Sequence, residues 1–207
     1  MATDSFQPQK MRLRDALLQQ VFLSLRKLKP TRERVTLGEK NDRVEREHVA
    51  RYNFARQFCK GKRVADIACG TGYGMKILGE TATSVDGYDK QCLCGNMIMD
   101  LEKESWKKSY DVIVSFETIE HLAYPQLFLE NIARTSRLAL ISSPIGEFRG
   151  YNPHHKQVWN LEEFKRLLGE YFDCTFYYQI AESIYQEPKL PVRFAIAVAT
   201  PRLPSHA

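Results

Sequence analysis

Between residues 11 and 28, Leu13, Leu17, Leu18, Val21, Phe22, Leu25 and Leu28 recur at intervals of three and four, with Arg12, Arg14, Arg26 and Lys27 among the remaining positions. That period predicts an amphipathic helix. Lys29-Pro30-Thr31 ends it, and the polar stretch to Asp42 reads as a linker. A second helix is predicted over 43–59, where Val44, His48, Tyr52, Ala55, Phe58 and Cys59 fall near one face. From Lys62 the pattern changes. Strand-like runs at 63–68, 83–88, 96–99, 110–116 and 137–143 alternate with helical stretches at 72–79, 125–134 and 160–169. Such alternation belongs to a parallel sheet covered on both faces. Two aromatic and β-branched runs follow, 172–180 and 192–199, separated by a segment with Pro188 and Pro191. They should pair as an antiparallel hairpin at one sheet edge. The expectation is therefore an α/β, doubly wound, Rossmann-like domain over 43–207, preceded by a helix and linker over 1–42.

The first predicted strand runs into Asp66-Ile67-Ala68-Cys69-Gly70-Thr71-Gly72-Tyr73-Gly74. Glycine lacks a Cβ and tolerates positive φ, so this turn allows a ligand close to the backbone at the start of a helix. Its spacing is G-x-G-x-G. A dinucleotide fingerprint places its third glycine one residue later, where Met75 stands, and the Gly-Lys-Ser/Thr of a phosphate loop is absent. The turn thus suits a nucleoside with little or no phosphate, and the acidic Asp66 suits a cationic amine. Asp89 follows 23 residues later at the end of the second strand, about where a doubly wound fold puts a carboxylate on ribose hydroxyls.

Composition adds limits. With 207 residues and 43% apolar content, the chain fits one soluble domain with a sizeable core. No run approaches the ~18 apolar residues of a membrane span, and the polar start does not read as a signal peptide, so a cytoplasmic protein is expected. Five cysteines form no paired framework and no zinc-knuckle spacing, so free thiols and no metal are expected. The net charge of +5 is uneven: residues 1–63 carry sixteen Lys/Arg against seven Asp/Glu. Alternation of sign through Arg43-Val44-Glu45-Arg46-Glu47 makes this a solvated helix face rather than a nucleic-acid surface.

In order along the chain, D-I-A-C-G-T-G-Y-G, Asp89 after strand two, Asp100 after strand three, and S-F-E-T-I-E-H-L after strand four resemble class I S-adenosylmethionine-dependent methyltransferases. The resemblance covers about residues 45 to 200 and implies seven strands with the last antiparallel. It implies S-adenosylmethionine as cofactor, with Asp66, Ala68, Gly70 and Gly72 at its methionine end and Tyr52 closing over them. It puts Asp89 and Lys90 near the ribose, Asp100 and Leu101 at adenine, and Glu117 along the pocket. Only about one helical turn fits between Asp89 and Asn96, fewer residues than the family provides there.

The run Tyr151-Asn152-Pro153-His154-His155, a spacer, Trp159 and Glu162-Glu163-Phe164 is similar to methyltransferases of glycan assembly that modify sugar hydroxyls. Methyl transfer to an alcohol is an in-line displacement that needs alignment and a base near neutral pKa. Histidine supplies one. His155 is the first choice and His121 the second, while Tyr151, His154, Trp159 and Tyr185 are candidates for the acceptor pocket. The acceptor expected is a small molecule or glycan. RNA, phenol or quinone methylation is the alternative, and an inactive scaffold with this fold is another. Through the helix at 11–28, a homodimer or a glycosyltransferase partner is also expected.

Overall fold

The computed structural model describes residues 43–188 and 192–202. The predicted helix at 11–28 and its linker, and with them the homodimer and partner expectations, lie outside the described residues.

Five strands form the parallel core of the sheet: β1 (Arg63–Ile67), β2 (Ser84–Asp89), β3 (Met97–Ile98), β4 (Tyr110–Phe116) and β5 (Ser136–Pro144). Three more follow, β6 (Phe172–Ile180), β7 (Ser183–Tyr185) and β8 (Phe194–Pro201). The order across the sheet is β3-β2-β1-β4-β5-β8-β6-β7. The two late runs do pair antiparallel, as predicted, with Phe172 opposite Pro201 and Gln179 opposite Phe194. They do not sit together at the edge. β8 inserts between β5 and β6, and the edge is β7, which folds back on β6 with Tyr178 opposite Tyr185. The sheet therefore has eight strands rather than seven. Ser183-Ile184-Tyr185 is too short to register as a run of its own.

Alternation along the strands sorts side chains to two faces. Val64 of β1 and Val112, Val114 and Phe116 of β4 face one apolar cluster with Tyr52, Ala55 and Leu78. These come from helices α1 (Arg43–Arg56) and α2 (Tyr73–Gly79). Ala65, Ile67 and Ile113 face the other cluster with Phe128, Leu129, Ile132, Phe164 and Leu168, carried by α3 (Pro125–Thr135) and α4 (Leu161–Gly169). Asp66, two residues after Val64, is thus aimed at α1. Pro125 opens α3 at a position where its missing N–H costs nothing. A reciprocal capping box opens α4: Asn160 accepts from the Glu163 amide at 2.9 Å and Glu163 accepts from the Asn160 amide at 2.9 Å. Between β2 and β3 there is no helix. In consequence Leu93, Met97 and Ile98 remain exposed at that edge.

Candidate functional site

The carboxyl ends of β1, β2 and β4 meet at one rim, the side on which open α/β sheets bind ligands. Two residues just past strand ends there, Ala68 (φ +61°) and Glu117 (φ +50°), adopt left-handed backbone without being glycine, as do Gly70 (φ +55°) and Gly72 (φ +79°), which are. Non-glycine residues hold this conformation at a cost of roughly 1–3 kcal/mol, and such positions cluster at functional sites. Here they turn the chain sharply at the ends of two adjacent strands.

Asp66 is fully buried. Burial lifts its carboxyl to about 7, Tyr52 opposes the shift with a hydrogen bond, and Asp89 adds to it. The Tyr52 hydroxyl donates to the two Asp66 oxygens at 3.1 and 3.3 Å. The Tyr52 ring is held edge-on to Tyr73 and Phe116, with centroids 5.3 and 5.2 Å away. It rests on Gly74, where any Cβ would overlap it. Asp89 accepts from the Gly70 amide at 3.0 Å and from the Gln91 amide at 3.1 Å. Around Gly70 a Cβ would meet nothing within 4 Å, so there is room beside this backbone.

A buried arginine, which the sequence reading did not single out, ties this half to the next. Arg51 is fully buried on α1, donates to Gln179 at 2.5 Å and pairs with Glu117. Its guanidinium lies 4.4 Å over the Phe194 ring. Burial lowers its pKa to about 10. His48 joins the same group, its Nε2 3.1 Å from Glu117 and its Nδ1 2.7 Å from the Tyr73 hydroxyl. The available signal was spacing: Arg51 falls three residues after His48 and four before Ala55, on the buried face of a helix.

Beyond β4, a 3-10 turn (Ile119–His121) carries Glu120 and His121. The loop after β5 is fastened to it, because the Lys156 and Gln157 amides both donate to the Glu120 carbonyl, at 2.8 and 3.0 Å. That brings His155 onto His121, with ring centroids 4.8 Å apart. His155 Nδ1 lies 2.5 Å from Glu147 and its Nε2 accepts from the Asn152 amide at 2.9 Å. His121 Nδ1 faces the His154 carbonyl at 3.2 Å. Each imidazole therefore directs its Nδ1–H at an oxygen, and on His155 the Nε2 lone pair is taken by Asn152.

The remaining expected site residues are distributed unevenly. Asp100 is committed to the turn that follows it: its carboxylate accepts from the Glu102 amide at 3.1 Å and pairs with Lys103 at 3.4 Å. Those contacts, the Glu102 amide first, hold its pKa below the usual carboxylate value. Leu101 packs against the core and Lys90 is exposed. Trp159 donates from Nε1 to Ser143 at 2.9 Å and lies against Phe164. It builds the loop. Tyr151 and His154 stay in the His155 loop, whereas Tyr185 lies on β7, three strands from β5 and hence roughly 14 Å away. Exposed Tyr124 and Phe148 stand in the loops of His121 and His155. A cavity of about 700 Å³ opens elsewhere, on the outer face of α1 among Arg46, Ala50, Phe54 and Ile184, and none of the acids just described lines it.

A sheet of this order, with buried acids at the ends of β1 and β2 beside a glycine turn, defines a Rossmann-like nucleoside-binding protein of the methyltransferase kind. The family model described as "Methyltransferase domain" matches residues 39–182, and the chain belongs to that family. It is 29% identical over 156 residues to a probable S-adenosylmethionine-dependent methyltransferase of Mycolicibacterium smegmatis, covering 64% of this chain and 59% of that relative's length. It is similar in fold to a TehB-like S-adenosylmethionine-dependent methyltransferase of Corynebacterium glutamicum (TM-score 0.62, 19% identity, 90% of this chain and 99% of that one). It also resembles the N-methyltransferase NodS of Bradyrhizobium japonicum in complex with S-adenosyl-L-homocysteine (TM-score 0.59, 14% identity, 79% and 90%). The cofactor is that of the family, S-adenosylmethionine. The residues present fit it: a buried carboxylate for a cationic end, a second carboxylate that holds the glycine turn at the end of β2, and open space at Gly70. Among the described residues no helix is long and apolar enough to cross a membrane.

Proposed function

We propose that the chain transfers a methyl group from S-adenosylmethionine to a hydroxyl of a sugar-containing acceptor. The bound cofactor supplies an electrophilic methyl on a sulfonium, so the protein's tasks are to hold the donor, align an oxygen and remove its proton. Asp66 meets the cationic methionine end, with Tyr52 covering it. Asp89 receives the ribose hydroxyls and holds the Gly70 turn in place. Glu117, fixed by Arg51 and His48, lines the boundary between donor and acceptor.

One observation carries the choice of a hydroxyl: the Glu147–His155–His121 group at the ends of β4 and β5. An alcohol requires a base, and His155 offers Nε2 once the acceptor hydroxyl displaces the Asn152 amide from it, with Glu147 placed to steady the imidazolium that forms. Exposed Tyr124 and Phe148, with Tyr151 between the latter and His155, favour an acceptor that offers apolar ring faces. The test is methyl transfer from labelled cofactor to nucleotide sugars, oligosaccharides, phenols, RNA and primary amines. Transfer to sugars that falls in His155→Ala and Asp89→Ala is expected. Transfer to amines, phenols or RNA alone would replace the acceptor assignment, and full turnover by His155→Ala would remove the base.

A further inference from the structure

Glu120 is only 1% exposed, and its carboxylate is half satisfied. Oε2 accepts from the Ser143 hydroxyl at 3.3 Å, whereas Oε1 is buried with no hydrogen-bond partner. An orphaned buried acceptor costs on the order of 1–3 kcal/mol, more if charged. A positive charge brought to this spot would offset that penalty. Arg51 of α1 is already held by Glu117 and Gln179.

Two imidazoles lie beside that carboxylate. One ligand atom each of Glu120, His121 and His155 falls within 4.8 Å of the others. Ligands bonded to a single ion at about 2.0–2.2 Å stand roughly 3–4 Å apart, so the group is within a side-chain adjustment of about 1 Å of coordinating one. The surrounding contacts are those that orient metal-binding histidines. The His121 Nδ1–H is held by a backbone carbonyl and the His155 Nδ1–H by a carboxylate, which leaves Nε2 as the donor atom on each ring. On His155 that lone pair is taken by the Asn152 amide, which a cation would displace. The framework itself is fixed, since the His155 loop is bonded through two amides to the Glu120 carbonyl. Spacing along the sequence gives no hint of this. Glu120 and His121 are adjacent, and His155 arrives only because the loop after β5 returns to the 3-10 turn.

We propose that Glu120, His121 and His155 form a binding site for a divalent first-row transition cation, with further coordination positions open toward the methyl acceptor. Two imidazoles and one carboxylate suit Mn²⁺, Co²⁺ or Zn²⁺. Three protein ligands leave places for oxygen ligands, as catalytic rather than structural sites do. Its consequence for catalysis rests on the methyl-transfer reading. An acceptor hydroxyl bound there would be made acidic by the cation, and His155 would then serve as ligand instead of base. No electron transfer is involved, and the hydroxyl proton leaves to solvent.

The direct test is titration of the full chain with Mn²⁺, Zn²⁺ and Co²⁺ alone, followed by calorimetry and, for Co²⁺, by its visible absorption. One cation per chain is expected, with affinity at least about tenfold lower in Glu120→Gln and in His155→Asn. Unchanged S-adenosylhomocysteine binding by Glu120→Gln would show that this near-isosteric variant is folded. Absence of binding at millimolar metal, or equal binding by parent and variants, would overturn the proposal. Cation binding without methyl transfer to any acceptor would leave the site standing and remove the methyl-transfer reading. Transfer indifferent to a chelator, by a chain that binds no cation, would do the reverse.

Discussion

The two halves of this rim, which the proposed function assigns to methyl donor and acceptor, are built in different ways. The donor half consists of Asp66, the glycine turn and Asp89, all within or directly after two neighbouring parallel strands, with Tyr52 laid over them from α1. Its polar groups are buried and its geometry is set by backbone amides. The acceptor half consists of two loops some 35 residues apart, joined by the bonds from Lys156 and Gln157 to Glu120 and by the edge-to-face contact of His155 with His121. Its aromatic residues Tyr124 and Phe148 are exposed. A site for an invariant donor can be rigid and near in sequence, whereas a site that chooses an acceptor is assembled from loops that vary in length and content. Arg51, on the helix that carries Tyr52, ties that helix to Glu117, three residues ahead of Glu120.

Removing that tie should therefore have the largest effect. In Arg51→Met, Glu117 loses its buried cation and Gln179 a hydrogen bond. Loss of one partner of a buried ion pair costs about 3–5 kcal/mol, toward the lower end here because Glu117 is partly exposed. At roughly 2–4 °C per kcal/mol for a domain of this size, Tm should fall by about 6–12 °C. If Tm barely moves, the two halves are not coupled through α1.

Gly74→Ala tests the donor half by itself. The new Cβ would occupy the position of the Tyr52 ring, so Tyr52 must leave Asp66 or α2 must shift. Overpacking of this kind costs about 1–3 kcal/mol, and S-adenosylhomocysteine affinity should fall by more than the loss of stability explains. Acceptor-side cation binding should be retained. Normal cofactor affinity would show that the Tyr52 contact with Asp66 is not part of the donor site.

Smaller, but specific to Asp66, is a pH effect. The carboxyl titrates near 3.8 when unfolded and near 7 when folded. Between those values the folded chain keeps a proton that the unfolded chain has lost, so this group's stabilisation is complete below pH 3.8 and is lost as pH rises toward 7. The cofactor has the opposite preference, because a cationic methionine end needs the carboxylate. Its affinity should drop about tenfold per unit as pH falls below 7, and Asp66→Asn should abolish the slope. Calorimetry with S-adenosylhomocysteine between pH 5.5 and 8.5 measures it. A flat profile in the parent chain would mean that Asp66 does not meet a cation.

This difference also explains what could be read from the sequence. The parallel core, α2, α3 and α4, the antiparallel last strand and the Asp66-to-Gly74 turn follow from local periodicity and turn chemistry, and each forms within a residue or two of its expected place. β7 was invisible because three residues on an edge carry no period. Arg51 broke the apolar pattern of its helix face, yet a buried arginine can only be understood once Gln179 on β6 and Glu117 just past β4 are beside it. Glu120 gave no signal beyond its neighbours. Its orphaned oxygen is a product of tertiary burial, and the juxtaposition of His121 with His155 depends on how one loop closes over another.

The acceptor half should respond least in stability and most selectively in function. Tyr124 is 77% exposed at the start of α3, and Tyr124→Ala should change stability by less than about 0.5 kcal/mol. Cofactor affinity and cation binding should stay at the parent values, since Tyr124 touches neither Asp66 nor the Glu120 group. If the aromatic rim receives the ring face of an acceptor, KM for whichever acceptor is methylated should rise severalfold while kcat is little altered, because a stacking contact made equally in ground and transition states affects binding alone. An unchanged KM would detach Tyr124 from the acceptor site. A fall in kcat at constant KM would instead place it against the reacting atoms, and the division between a rigid donor half and an adaptable acceptor rim would then have to be redrawn through α3.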